Sequence, residues 1–82
     1  MGYVWYDTNY KLPPTVVSGV EYIATIYSPY WNIPFQTKVV TYDKEDYMGK
    51  TAWVWKLGGN KIPSTWKVTD WAYMPPPARN ML

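Results

Sequence analysis

Apolar residues in this chain fall partly in alternation and partly in short unbroken runs, and nowhere do they recur at helical spacing over three turns. Four segments therefore read as strands. Residues 20–27 (Val-Glu-Tyr-Ile-Ala-Thr-Ile-Tyr) and 35–42 (Phe-Gln-Thr-Lys-Val-Val-Thr-Tyr) are β-branched and aromatic, with the turn-rich Ser28-Pro29-Tyr30-Trp31-Asn32-Ile33-Pro34 between them. Residues 51–57 stop at Gly58-Gly59-Asn60, a strong turn signal, and residues 66–73 follow after Ile62-Pro63-Ser64. Connections this short suit an antiparallel meander, since parallel crossovers need about a dozen residues each. The charged stretch Asp43-Lys44-Glu45-Asp46-Tyr47-Met48-Gly49-Lys50 reads as a solvated hairpin loop with room for a helical turn.

The pattern predicts an all-β or β-rich single domain over residues 1–82, an antiparallel sheet of about four to five strands that stays open or closes part-way to a barrel. Residues 1–14 form an N-terminal arm with Leu12-Pro13-Pro14, residues 15–74 the sheet, and residues 75–82 a proline-rich tail; both arms are expected to lie across the sheet. Trp53 and Trp55 share one strand face, with Ala52 and Val54 on the other; Tyr22, Ala24 and Ile26 oppose Ile23 and Tyr27. Neither strand has a clean polar side. Something must cover the second face: the arms, a ligand, or a second copy, and a homo-oligomer is the expectation.

Composition narrows the chemistry. Six Trp and nine Tyr stand among 82 residues that contain no Cys and no His. Disulfides are impossible, a structural zinc site lacks its usual ligands, and nucleophilic triads lack their base. A Ser-Lys arrangement around Ser18, Ser28 or Ser64 has no supporting motif, and Gly58-Gly59-Asn60-Lys61 lacks the spacing of a phosphate-cradling loop. The acids of residues 43–46 lack the alternation of a calcium loop. The expectation is a binder with no catalytic residues, no metal and no cofactor. Net charge is only +2, which disfavours duplex nucleic acid but suits a single small anion. The N-terminal sequence does not read as a signal peptide, and no window approaches the roughly 18 apolar residues that span a bilayer, so no membrane association and a cytoplasmic location are expected.

Two stretches carry a resemblance. Trp5, Leu12 and Pro13 reproduce a W-x6-L-P opening, and Val68-Thr69-Asp70-Trp71-Ala72-Tyr73-Met74-Pro75-Pro76-Pro77 aligns without a gap to V-T-H-W-M-P-L-P-E-P. In these residues the chain resembles a small phage and prophage domain family of unknown function. Asp70 stands where that family has His, Tyr73 where it has Pro and Met74 where it has Leu, so no role of the imidazole carries over. The resemblance implies a phage-encoded accessory protein in the bacterial host cytoplasm and a β-rich fold, with no activity to transfer.

Aromatic recognition is the chemistry with positive support, because rigidly held rings stack on bases for roughly 1–3 kcal/mol each. Tyr30, Trp31 and Asn32, stiffened by Pro29 and Pro34, are the first candidates for contact; Trp31 reads equally well as a lid over the core edge. Lys56, Asn60 and Lys61 flank the Gly-Gly turn and suit a phosphate. Asp70, read as following Trp66 and Val68 along one strand face, either accepts from an indole or backbone N–H or reads a base edge. The leading expectation is stoichiometric sequestration of a nucleotide-type signalling molecule of host defence. A module docking on a host protein is the alternative, and single-strand nucleic-acid binding is a third, weaker reading.

Overall fold

The computed structural model describes residues 4–75. Six strands form one antiparallel sheet: β1 (Tyr6–Asp7), β2 (Val20–Tyr27), β3 (Phe35–Tyr47), β4 (Lys50–Leu57), β5 (Asn60–Lys61) and β6 (Lys67–Tyr73), in the order β1-β6-β2-β3-β4-β5. No helix occurs among the described residues. The sheet stays open, because β1 and β5 end it without pairing to each other. The expected all-β class holds, and the count rises to six because two-residue strands at each edge join the four that alternation marks; the expected meander does not, because β6 crosses back to pair with β2 rather than with β4. Most of the proline-rich tail, from Pro76 onward, lies outside the described residues.

One expectation is corrected in β3. The charged stretch is neither a loop nor a helical turn: β3 runs on to Tyr47 and pairs with β4 as far as Tyr47↔Lys50. Only Met48 and Gly49 turn, with φ of 51° and 78°, the left-handed pair that a two-residue hairpin of matching twist requires. Alternation then sorts the charges. Asp43 and Glu45 share the face of Lys56, because Thr41↔Lys56, Asp43↔Val54 and Glu45↔Ala52 are direct partners.

A second correction concerns β6. Thr25 pairs with Asp70 but Ile26 pairs with Val68, so Thr69 is an extra residue and the alternation reverses across it. Asp70 consequently lies on the face opposite Val68 and Trp71. The bulge is held by the N-terminal arm: Thr8 N–H donates to the Thr69 carbonyl at 3.0 Å, and its hydroxyl reaches the carbonyls of Val68 and Thr69 at 2.8 and 3.0 Å.

The main core cluster lies on one face of the sheet, while Ile23 and Ala72 are buried on the other. Tyr22, Ala24 and Ile26 from β2, Val40 and Tyr42 from β3, and Val68 and Trp71 from β6 are buried together, with Tyr6, Trp31, Trp53, Trp55, Leu57, Ile62 and Trp66 packed against them. A single sheet of this size has no second layer to cover it, so the rings cover one another. Trp71 meets Tyr6 at 4.9 Å, Tyr22 at 5.2 Å and Tyr73 at 5.1 Å between centroids, mostly edge-on as ring quadrupoles favour. The arm does cross this face as expected, but only after pairing as β1: the Trp71 indole donates to the Lys11 carbonyl at 2.8 Å, and Pro13 is buried.

Candidate functional site

The Gly58-Gly59 turn decides where the site forms. Both glycines take left-handed φ, 61° and 85°, which reverses β4 into β5 within two residues and sets Lys61 opposite Lys56. The chain then leaves the ladder after one further bond, from Ile62 N–H to the Trp55 carbonyl at 3.2 Å. Pro63 fixes the next turn, closed by Trp66 N–H donating to the Pro63 carbonyl at 3.0 Å.

Between the β4–β5 hairpin and this segment lies a cleft of about 280 Å³. Val54, Trp55, Ile62, Pro63, Trp66 and Val68 make its apolar walls. Lys61 and Ser64 are the polar residues on it. The volume falls just below the roughly 300–1,000 Å³ typical of small-molecule sites, so it admits one ring-sized group with the rest of a ligand outside.

Trp31 does not line the cleft but packs on Trp66, which does. Its ring packs edge-on to Trp66 at 4.7 Å, and it is half-buried, the lid arrangement rather than the freely exposed one. The loop that carries it is locked by Ser28, wholly buried: Ser28 N–H donates to the Pro34 carbonyl at 2.8 Å, the Ser28 carbonyl accepts from Trp31 N–H at 3.3 Å, and its hydroxyl accepts from Tyr30 N–H at 3.3 Å. Tyr30 and Asn32 are exposed on that loop.

The two lysines differ. Lys56 is engaged by Glu45 at 3.0 Å and Asp43 at 3.8 Å, its side chain only 21% exposed. Lys61 is 65% exposed and reaches Glu45 only at 3.8 Å. Two ammonium groups on directly opposed residues would repel, and Glu45 between them offsets that. Lys61 is thus the more exposed and more loosely paired cation beside the cleft, whereas Lys56 is held by two carboxylates. Asn60 is exposed and pairs with Leu57 at the hairpin end.

Asp70 stands apart from these residues. It faces Thr25 and Asp7 on the opposite side of the sheet, and its Oδ2 accepts the Thr69 hydroxyl at 2.9 Å. The cleft walls themselves, Ile62, Pro63, Ser64 and Trp66 above all, were not foreseeable as a site. The Ile-Pro-Ser-Thr-Trp run marks a turn between strands but not the face it crosses.

Among the described residues, no group of three or more metal-ligating side chains converges and no helix is long and apolar enough to cross a membrane. No family model, curated protein or solved structure matches the chain.

Proposed function

We propose that this protein acts without catalysis, by stoichiometric binding of a small planar anion of nucleotide type at the cleft beside the β4–β5 hairpin. The observation that carries this reading is an apolar, Trp-walled slot of ring size with one exposed lysine at its edge, Lys61, held by Glu45 only at 3.8 Å. A base enters between Trp55 and Trp66, and Lys61 with Ser64 meets the phosphate. Trp31 braces Trp66 from outside. The phage-family resemblance of the two terminal motifs supplies the context: removal of a nucleotide signal used in host defence, in the bacterial cytoplasm.

Native mass spectrometry with a panel of linear and cyclic nucleotides tests it, with tryptophan fluorescence as the titration signal. A discrete added mass, released intact on denaturation, is expected. Lys61→Ala should weaken affinity about 10- to 100-fold, the equivalent of the roughly 1.5–3 kcal/mol of a hydrogen bond to a charged group. Lys56→Ala should weaken affinity by less than Lys61→Ala, because it leaves Lys61 in place but releases Glu45 toward it. Recovery of a cleaved product would make the protein an enzyme, and indifference to the whole panel would remove the ligand.

The second reading, docking on a host protein, draws on the locked 28–34 loop, which presents Tyr30 at 79% and Ile33 at 67% exposure. It expects co-purification of a defined host protein that Tyr30→Ala abolishes.

A further inference from the structure

β3 is longer than either neighbour, and this leaves part of one edge unpaired. It pairs with β2 over residues 35–42, but with β4 only from Thr41 onward, because β4 ends at Leu57 and turns away. The bond from Ser28 N–H to the Pro34 carbonyl is in register with the β2–β3 pairing and fixes the phase of the ladder. Since antiparallel bonds alternate, Gln36, Lys38, Val40 and Tyr42 direct their N–H and C=O groups to β2. Phe35, Thr37 and Val39 direct theirs the other way, where no strand lies among the described residues. The same phase sets Thr41, Asp43, Glu45 and Tyr47 as the bonded residues toward β4, consistent with the hairpin closing at Tyr47↔Lys50.

We propose that this edge pairs with the same edge of a second copy, antiparallel about a two-fold axis at Thr37, joining the two sheets through β3. The register is self-complementary. Phe35 meets Val39 of the second copy, Thr37 meets Thr37, and Val39 meets Phe35, giving about six inter-strand hydrogen bonds from three bonded pairs.

Side chains agree on both faces. Phe35 and Val39 are 56% and 47% exposed, and they meet as aromatic against β-branched, while two threonines meet at the axis, both among the stabilising cross-strand pairs. Phe35 already packs on Tyr27 at 4.9 Å, and Val39 lies beside Ile23, so the joined sheets bury a continuous apolar stripe. On the other face Gln36 falls opposite Lys38 of the second copy, so the two lysines never confront each other.

The edge also lacks the usual protections. It carries no proline between Phe35 and Val40 and a single charge, Lys38, which is half-buried. The open edge of β4 is shorter, since only Thr51 and Trp53 point outward before Trp55 is taken by Ile62.

Sedimentation velocity from micromolar to near-millimolar protein tests the proposal. Wild type is expected to be a dimer. Thr37→Lys and Thr37→Glu each place two like charges opposite one another across the axis and nowhere else, and should raise the dissociation constant at least about tenfold. Mixing the two variants should restore a dimer, a rescue that also shows both are folded. Thr37→Pro, which removes only an outward N–H that edge strands can spare, should dissociate the dimer with β-sheet circular dichroism retained. A wild type that stays monomeric overturns the proposal, as do dimers indifferent to both charged variants, or folded variants whose mixture remains monomeric.

Discussion

Trp71 shows how one residue can hold two ends of the chain. It is fully buried, ringed by Tyr6, Tyr22 and Tyr73, and its indole N–H ties down the Lys11 carbonyl across 60 positions of sequence. Trp71→Phe keeps an aromatic ring but leaves that carbonyl without its donor and the site underfilled. We expect a loss of about 2–3 kcal/mol, read as a lower urea midpoint with unchanged slope. Its place on the core face was not legible in the sequence, because unbroken alternation sets Trp71 opposite Val68 and only the extra residue Thr69 brings the two to one face; nor was its partner, since no local pattern announces a carbonyl so far away. Asp43 teaches the converse. Its Oδ2 accepts the Thr41 hydroxyl at 3.2 Å, yet Oδ1 is buried without a hydrogen-bond partner among the described residues, in a stretch that charge alone makes look solvated.

At the level of elements, the β3–β4 hairpin is the clearest case of turn chemistry setting register. Met48 holds a left-handed φ of 51° that an unbranched side chain tolerates only at a cost, and Gly49 holds 78° freely. Met48→Asn should therefore stabilise the protein by about 0.5–1 kcal/mol, because Asn-Gly suits this turn, and Gly49→Ala should destabilise it by about 1 kcal/mol or more. Thermal midpoints moving in opposite directions would check both, and a fall on Met48→Asn would contradict the turn. Met-Gly is a weaker signal than the Gly-Gly of the next hairpin, and five charged residues among eight hide the alternation around it. The four longer strands were legible because β-branched and aromatic runs stop at Gly and Pro; the two-residue edge strands were not, since such a segment has no period to detect.

For the whole molecule, burying phenols in a one-layer core ties stability to pH. Burial pushes the Tyr22 hydroxyl above its ordinary pKa of 10.0, with the neighbouring Tyr73 adding to the effect, and burial alone raises Tyr42. The unfolded chain then loses these protons before the folded one does. Their contribution is fully present below pH 10, falls as the pH rises past that value, and is lost above the raised folded pKa. Urea midpoints measured between pH 8 and pH 12 should decline through this window, and the double variant Tyr22→Phe with Tyr42→Phe should decline less steeply. Equal slopes would mean that other groups dominate alkaline unfolding.

The class of the fold, the four main strands, the residues that share a face within β2 and β4, and the absence of thiol and imidazole chemistry can be read from the order of residues alone. These depend on alternation, turn residues and composition, all local quantities. The tertiary structure alone decided that Thr69 bulges and sends Asp70 to the far face, that Glu45 claims Lys56 and leaves Lys61 to the cleft, and that β3 outruns β4. Each depends on which backbone lies alongside which, and pairing between distant segments is set by the packing of the whole sheet rather than by any residue's neighbours in the chain.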